Sequence, residues 1–599
     1  MSMIVNRRDL DFLLYEFLNI ETLLEQPFYE DYDREAITAI LDMSQSIAED
    51  KFLPCAAKLD ANEPTFDGEK AHLIPEVREA LDAYTEAGMF GASFEAELGG
   101  AQMPDTVALF AKGIFNTANL GITNYSFLTQ GAANLIKVFG TQEQKDTFLP
   151  PMIAGDWYGT MCLSEPQAGS SLSDIKTKAE LTADGDYLIT GSKMWISGGD
   201  QELSDNIVHM VLAKIPGGPA GVKGISLFIV PKYRVQEDGS VGERNNIGLA
   251  GLNHKMGHRG TTNALLNFGE AGECRGQLIG EPHKGLFCMF QMMNEARLGV
   301  GWGAAMSGLA GYLYSVDYAR NRPQGRHPDA KDPTSPQVMI SEHTDIKRIL
   351  MAQKVYVEGA MGLISYCANL LDGEKFVTTK EEKSRIALLL EILTPIAKSW
   401  PSEYCLEANK HAIQVLGGYG YTREYPVERF YRDNRLNHIH EGTHAIHGID
   451  LLGRKVQMLD GAALKLLVAE FGATVAATSD TPELAEYAKG LTHAAAKLQE
   501  VTATMLASES IKLRLANATT YLDAFGHVVI AWVWLKQATV ALKGQEKGDA
   551  GDAAFYEGKV KACQYFYRYE LPLALQKLDM VAELDDTTLG LTAEMFVGT

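Results

Sequence analysis

The chain has 599 residues, of which 46% are hydrophobic and 22% charged, and its formal net charge is −23 at pH 7. This length provides for several domains of roughly 100–200 residues each, and the composition excludes a fibrous or largely disordered protein. The acidic balance argues against broad nucleic-acid binding, which requires lysine and arginine to neutralise phosphates. Seven scattered cysteines without a CxxC pair predict free thiols in a reducing cytoplasm.

Residues 1–158 are predicted to form an N-terminal helical domain without strands. The run DREAITAILDMSQSIAEDKFLP, Asp33 to Pro54, repeats apolar residues at helical spacing and stops at a proline. In RRDLDFLLYEF, near the start of the chain, acidic residues interrupt the apolar run. This pattern predicts an amphipathic helix instead of a secretory signal.

Residues 159–280 are predicted to form a small β-barrel domain. Asp184-Gly185 lies between two runs that alternate apolar and polar residues, which predicts a hairpin. Further strands are predicted in NIVHMVLAKI and GVKGISLFIVPKY, and the series is predicted to end with TTNALLNFGEA, Thr261 to Ala271.

Helical patterning returns after residue 280. Residues 281–455 predict a bundle of long helices, and residues 456–599 predict an additional helical domain, rich in alanine. The most hydrophobic late stretch, HVVIAWVWLK, His527 to Lys536, is shorter than the ~20 residues that span a bilayer. It therefore predicts a buried helix without membrane insertion. The predicted fold class is multidomain α+β.

Three short motifs combine residue types that suit a ligand. The turn MCLSEPQAGSS, Met161 to Ser171, has small residues and backbone donors that admit a ring or a phosphate, although an ordinary turn has the same composition. GSKMWISGG, Gly191 to Gly199, contains Trp195, which is either a core side chain or the wall of a cofactor pocket. QVLGGYG, Gln414 to Gly420, is no dinucleotide-binding fingerprint, because no strand precedes it.

The segment HIHEGTHAIHG, His438 to Gly448, has the spacing of a zinc-protease motif at His440, Glu441 and His444. Such a motif requires an uninterrupted helix, whereas Gly442-Thr443 suits a junction between a loop and a helix. No third ligand motif follows. We therefore predict no metal site, and the histidines of this segment receive no role.

The order of seven blocks resembles the acyl-CoA dehydrogenase family. The blocks are SEPQAGSS, GSKMWISGG, MGHRGTTN, NEARLGVGWGAAMSGL, YARNR, QVLGGYGYTREYPVERFYRD and HEGTHAI. The resemblance covers about residues 35–455 and implies an FAD-dependent enzyme that converts an acyl-CoA thioester to a trans-2-enoyl-CoA. The first residues and the helical tail resemble a longer subgroup, which implies a homodimer with active sites near the subunit interface.

The resemblance also implies roles for individual residues. Glu441 matches the base that removes the α-proton while the flavin N5 takes the β-hydride. Arg297 in NEAR matches an arginine near that carboxylate at the substrate site, and Ser170 is expected at the pyrophosphate or the thioester. The positions that match FAD contacts are Met161, Leu163, Ser164, Gly169, Ser170, Trp195, Ser197, Arg322 from the neighbouring subunit, Gln414, Gly417, Gly418, Gly442 and Thr443.

Several alternatives stay open at this stage. The longer subgroup includes fatty acyl-CoA dehydrogenases of bacterial β-oxidation and 3-methylmercaptopropionyl-CoA dehydrogenases. An acyl-CoA oxidase shares the glutamate base and gives its electrons to oxygen, not to electron-transferring flavoprotein. A DNA-associated alkylation-response flavoprotein relies on a basic C-terminal region, whereas the tail after Lys455 has more acidic than basic residues. The expected partners are an acyl-CoA and electron-transferring flavoprotein, without nucleic acid, in the cytoplasm.

Overall fold

The computed structural model of the protein describes residues 2–548 and 551–598, apart from the side chains of Gln291 and Met292. The chain divides into two compact units. We call Tyr29–Gly299 the β-containing unit, and Met1–Phe28 together with Val300–Thr599 the helical unit. The helical and β regions confirm the predicted fold class, whereas the boundaries of the four predicted domains stay a prediction.

Helices dominate the chain before residue 157, as predicted. Asp33 caps the N-terminus of one of them, because its carboxylate accepts a hydrogen bond from Ala36 N at 2.8 Å. The prediction of no strands is wrong at one place, where Asp67 turns the chain between two short strands, β1 Thr65–Phe66 and β2 Ala71–His72. The helices are α1 Arg7–Asp11, α2 Glu21–Leu24, α3 Arg34–Ile47, α4 Leu53–Ala61, α5 Pro75–Glu86, α6 Asp105–Phe139 and α7 Gln142–Ala154.

The strands from residue 157 onward form a barrel with an extension at either side, and a separate two-stranded sheet. The strands are β3 Trp157–Cys162, β4 Lys178–Leu181, β5 Tyr187–Ser197, β6 Asn206–Lys214, β7 Ile225–Pro231, β8 Tyr233–Val235, β9 Val241–Arg244, β10 Ile247–Leu252, β11 Asn263–Phe268 and β12 Arg275–Ile279. Pairing runs β5-β12-β7-β6-β4 and returns to β5, so these five strands close on themselves. β3 extends the ring beside β6, and β11 with β10 extends it beside β5. The separate sheet is β8 with β9.

Two features of the barrel test the sequence predictions. β4 and β5 pair antiparallel around Gly185, whose φ is +96°, so the predicted hairpin is confirmed. The strand series does not end with TTNALLNFGEA, because β12 follows it and pairs with both β5 and β7. Alternate residues of β6 enter different cores, with Val211 in one cluster and Met210 in the other. A strand buried on both faces reads as a continuous apolar run, which explains NIVHMVLAKI.

Long helices follow the barrel and continue to the end of the described chain. They are α8 Gly285–Asn321, α9 Thr344–Glu374, α10 Lys380–Leu416, α11 Val427–Asn434, α12 His444–Gly453, α13 Met458–Thr478, α14 Ala485–Ala507, α15 Ile511–Ala516, α16 Ala518–Glu546, α17 Ala553–Tyr565, α18 Leu571–Ala582 and α19 Ala593–Val597. All seven cysteines are buried free thiols, as predicted.

Two helical stretches are long and apolar enough to cross a membrane by length and composition alone, His444–Thr478 and Ala518–Glu546. In the second, 78% of the most apolar window is buried inside the protein, including every side chain from Val528 to Leu535. The predicted buried helix at HVVIAWVWLK is therefore confirmed. In the first stretch, 28% of the corresponding window is buried.

Candidate active site

The turn after β3 is bound to β5 in the β-containing unit. The backbone N–H of Met194 donates to the carbonyl oxygen of Ser164 at 3.0 Å. This bond brings the predicted flavin contacts Leu163 and Ser164 beside Trp195, the next residue along β5. Two separate motifs of the sequence thus meet in one place, as the resemblance implied.

Trp195 is not a core tryptophan. Its side chain is 60% exposed, and its φ is +67°, a left-handed conformation that non-glycine residues rarely adopt. Backbone strain of this kind persists where the surrounding structure fixes it, often at ligand sites. The neighbouring strand β11 pairs with β5 directly after this residue, with Ala264 opposite Ile196, and Asn263 Nδ2 donates to Ser197 Oγ at 3.1 Å. The exposed indole favours the cofactor-wall interpretation of this motif.

A buried ion pair, which the sequence did not reveal, holds the turn in place. Lys193 Nζ donates to Glu165 Oε1 at 2.9 Å and to the carbonyl of Leu163 at 3.0 Å, and both charged side chains are almost fully buried. Glu165 also accepts from Thr177 Oγ1 at 2.6 Å. Burial alone raises a carboxyl pKa, but Lys193 and these hydrogen bonds prevail and lower the pKa of Glu165 to about 2. The sign that the sequence offered was one charged residue in each motif, Glu165 in MCLSEPQAGSS and Lys193 in GSKMWISGG.

Gly169 and Ser170 are both exposed, at the far side of the same turn. A Cβ added to Gly169 would meet no atom within 4 Å, so no protein neighbour requires a glycine there. The space beside this backbone is open to a ligand. Met161 lies in β3 opposite Met210 of β6 and is partly buried.

In the helical unit, the predicted FAD contacts near residue 417 form an exposed group. Gly417 ends α10 with a φ of +61°, and a Cβ on Gly417 or Gly418 would meet no atom within 4 Å. The guanidinium of Arg322 lies 5.5 Å from the centre of the Tyr419 ring. Together with the exposed Gln414, these groups present a cation and open backbone to an anion.

The loop that carries Glu441 has an unusual backbone. We call residues 439–443 the catalytic loop. Glu441 has a φ of +54° and Gly442 a φ of +92°, and α12 begins directly after the loop at His444. HEGTH therefore does not lie on one helix, and the predicted junction between a loop and a helix is present at Gly442-Thr443. Thr443 occupies the N-cap position of α12 without a capping bond from its side chain.

Two buried side chains hold the carbonyl groups of this loop. His447 Nε2–H donates to the carbonyl of Glu441 at 3.1 Å, and Lys398 Nζ donates to the carbonyl of Gly442 at 2.7 Å. Both donors are 0% exposed. Only glycine fits at 442, because a Cβ there would lie 2.8 Å from His447 Nε2. No sequence pattern indicated these roles, since Lys398 lies more than 40 residues upstream.

A chain of buried asparagines supports the segment before the loop. Asn437 Nδ2 donates to Asn434 Oδ1 at 2.9 Å, and Asn434 Nδ2 donates to Asn409 Oδ1 at 2.7 Å. Asn409 in turn donates to the carbonyl of Ser307 at 2.8 Å. His440 Nε2 lies 2.8 Å from Asn437 Oδ1. The backbone before Glu441 is therefore fixed to α10 and α8.

Arg297 lies in the part of α8 that belongs to the β-containing unit. Its side chain is 3% exposed, and its Nη1 donates to Asn294 Oδ1 at 3.3 Å. The predicted action of Arg297 on Glu441 stays a prediction, as do the roles of the other site residues.

Comparison with known proteins assigns this arrangement to a family. The acyl-CoA dehydrogenase N-terminal domain matches residues 34–156, the middle domain 160–269 and the C-terminal domain 283–456, and an acetyl-CoA dehydrogenase C-terminal-like domain matches 467–592. A broad-specificity linear acyl-CoA dehydrogenase of Mycobacterium tuberculosis is 32% identical, over 99% of both chains. The chain belongs to the acyl-CoA dehydrogenase family. It is an FAD-dependent oxidoreductase, as predicted.

Two further acyl-CoA dehydrogenases show how far the likeness extends. A 3-methylmercaptopropionyl-CoA dehydrogenase of Ruegeria pomeroyi is 34% identical over 86% of this chain and 87% of its own length. The crystal structure of an acyl-CoA dehydrogenase complexed with FAD from Bacillus anthracis covers 94% of this chain and 90% of its own, with a TM-score of 0.72 and 22% identity. At that identity the likeness establishes the fold, including the additional helical region.

The residues present fit the FAD that acyl-CoA dehydrogenases use. An exposed tryptophan with strained backbone is suited to a flat ring, and an exposed arginine beside open glycines is suited to a diphosphate. Within the β-containing unit, Trp195 would provide the ring contact and Gly169 open backbone. Within the helical unit, Arg322 would provide the cation, and Gly417 and Gly418 open backbone.

Proposed function

We propose that this acyl-CoA dehydrogenase oxidises fatty acyl-CoA thioesters at the α,β-position, with Glu441 as the base that removes the α-proton. The observation that carries the proposal is the left-handed backbone of Glu441 in a loop whose carbonyls are held by two buried donors. Such an arrangement costs conformational energy and fixes the backbone from which the carboxylate projects, which supports a positioned base.

Several residues of this chain have separate roles in the proposed reaction. FAD, when bound, accepts the hydride from the β-carbon. Glu441 takes the α-proton onto its carboxylate, and hydrogen-bond donors at the thioester carbonyl stabilise the charge that develops there. His447 and Lys398 orient the loop. Lys193 and Glu165 hold the turn with Ser164 beside Trp195.

Linear fatty acyl-CoA thioesters are the proposed substrates, which places the enzyme in bacterial β-oxidation. The full-length match to the broad-specificity linear acyl-CoA dehydrogenase supports this choice, because it extends over 99% of the chain. The second candidate is 3-methylmercaptopropionyl-CoA, a thioether, since that relative is 34% identical.

Electron-transferring flavoprotein is the proposed electron acceptor, and the oxidase alternative gives a clear contrast. An oxidase produces hydrogen peroxide at the full turnover rate without an added acceptor. We propose a homodimer in the cytoplasm, in which Arg322 reaches the FAD of the neighbouring subunit. The acidic region after Lys455 argues against the DNA-associated alternative.

Anaerobic flavin reduction tests the proposal. The holoenzyme is mixed with short, long, branched, thioether and aryl acyl-CoA thioesters, and the loss of visible flavin absorbance is followed in a stopped-flow instrument. The wild type should be reduced fastest by a linear fatty acyl-CoA, and Glu441→Gln with bound FAD should show no reduction on that timescale.

A surface carboxylate provides the control. Glu407 pairs with Lys410 on α10 at 2.5 Å, so Glu407→Gln changes the same chemical group without touching the catalytic loop. Reduction of the flavin in Glu441→Gln at the wild-type rate would show that Glu441 is not the base. Fastest reduction by the thioether substrate would replace the fatty acyl proposal with the second candidate.

A further inference from the structure

A cluster of two histidines and a glutamate lies beside the catalytic loop. His438 Nε2 is 2.5 Å from Glu403 Oε2, and His444 Nε2 is 3.7 Å from the same oxygen. The two imidazole rings stack with their centres 4.6 Å apart and their planes 21° apart. All three ligand-type atoms lie within 4.8 Å of one another. This grouping differs from the HExxH pattern, because His440 and Glu441 are not part of it.

Three separate segments build the cluster. Glu403 lies in the middle of α10, His438 ends the short turn before the catalytic loop, and His444 is the first residue of α12. The two histidines thus stand on either side of the loop that carries Glu441. Both Nδ1 atoms are buried, so an incoming ion would be bound through the Nε2 atoms that face Glu403.

We propose that Glu403, His438 and His444 bind one divalent transition-metal ion, with zinc as the best match. A tetrahedral zinc ion with bonds of about 2.0–2.1 Å holds its ligand atoms about 3.3 Å apart. The distances of 2.5 and 3.7 Å from Glu403 Oε2 bracket that separation, and the two stacked rings must turn towards each other for both Nε2 lone pairs to face one ion. Two imidazoles and one carboxylate leave the fourth position to water.

The chemistry of the ligands selects the class of ion. Imidazole nitrogen favours zinc, copper, nickel and iron, whereas magnesium and calcium require a set of oxygen ligands. Glu403 provides the one negative charge of the cluster. The nearby carboxylate of Asp523 already pairs with Lys577 and accepts from Tyr404 Oη at 2.6 Å. The side chain of Glu403 is 47% exposed, so an ion has access from solvent.

A bound ion would fix both ends of the catalytic loop to α10. His438 precedes the loop directly and His444 follows it directly, and neither is the base. The ion would therefore order the loop that carries Glu441. Binding energy of this kind adds to the stability of the folded state that contains the site.

Zinc binding to the holoenzyme tests the proposal. The holoenzyme is freed of metal with a chelator and titrated with Zn²⁺ in competition with a chromogenic chelator, without any acyl-CoA. We expect one ion per chain, and a shift of thermal unfolding to higher temperature. His438→Gln, His444→Gln and Glu403→Gln should each weaken binding by at least about tenfold. Cobalt in place of zinc should give the visible absorption of a tetrahedral ion.

The chain offers a matched control and a rescue. His411 and Glu407 form an ordinary pair on α10 with a separation of 3.8 Å, so His411→Gln should leave zinc affinity unchanged. His444→Cys provides another zinc ligand and should recover binding that His444→Gln loses. The absence of saturable binding, or equal zinc affinity in the wild type and all three cluster variants, would overturn the proposal. Neither result depends on the proposed substrate or on Glu441.

Discussion

His447 Nε2–H donates to the carbonyl oxygen of Glu441 at 3.1 Å, from a fully buried position in the first turn of α12. The helix that follows the proposed base thus reaches back and holds the base's own backbone. The same ring occupies the space where any side chain at 442 would lie. Loop geometry and helix packing are therefore linked through one histidine.

Removing this donor should slow catalysis more than it weakens substrate binding. His447→Leu leaves the Glu441 carbonyl without its partner, and a neutral hydrogen bond contributes about 0.5–1.5 kcal/mol, so the rate of flavin reduction should fall about 2- to 13-fold. His447→Gln retains an N–H donor and should recover part of the rate. Stopped-flow kinetics separates the rate of reduction from the substrate affinity. An unchanged rate in His447→Leu would show that the bond does not orient the base.

Gly442→Ala should damage the loop more strongly. The substitution forces a left-handed residue with a Cβ, which costs about 1–2 kcal/mol, and brings that Cβ to 2.8 Å from His447 Nε2. Flavin reduction should fall more than about tenfold, since both penalties act on the base. Gly472→Ala is the control. It lies in the interior of α13 with open space around it, so it should stabilise the protein by about 0.5–1 kcal/mol.

The Glu165–Lys193 pair should make the stability of the fold sensitive to acid. A carboxyl with a lowered pKa in the folded state stabilises the fold above its ordinary pKa of 4.5 and loses that contribution as pH falls towards about 2. Thermal unfolding of the wild type should therefore shift to lower temperature over this range, and Glu165→Gln should show a smaller shift.

The same pair predicts a large effect at neutral pH. Glu165→Gln leaves the buried ammonium of Lys193 without its counter-ion, which should cost about 3–5 kcal/mol. The double variant Glu165→Gln with Lys193→Met removes both charges and should recover most of the loss. Chemical denaturation with FAD content as a second readout measures both. Additive losses in the double variant would contradict the pairing.

Substitutions of Trp195 should separate backbone strain from flavin binding. Trp195→Gly and Trp195→Ala both remove the exposed indole, so both should weaken FAD binding and change the flavin spectrum. Glycine adopts a φ of +67° without penalty, so the glycine variant should be about 1–2 kcal/mol more stable than the alanine variant. Equal FAD affinity in the wild type and both variants would show that the indole does not contact the flavin.

The sequence predicted those features that depend on residues close together along the chain. Asp184-Gly185 indicated a hairpin because a tight turn requires particular residue types. The apolar stretch at residues 527–536 indicated a buried helix because apolar side chains favour burial. The ordered blocks indicated the family, since each keeps residues that a shared chemistry requires. The two short strands near Asp67 and the last strand β12 were not predicted, because strands of two to five residues show little periodicity in sequence.

The sequence by itself determined the class of fold, the family, the cofactor and the segment that carries the proposed base. Only the tertiary structure decided which side chains hold that segment. Lys398 donates to the carbonyl of Gly442, and Glu403 contacts His438, although each pair is far apart in the sequence. The ion pair of Lys193 and Glu165 in the β-containing unit is likewise distant in sequence. Hydrogen bonds and ion pairs act over a few ångströms in space, and packing of distant helices and strands sets those distances. Only the structure therefore shows what the histidines around Glu441 contact. His447 donates to the carbonyl of Glu441, and His438 and His444 lie beside Glu403.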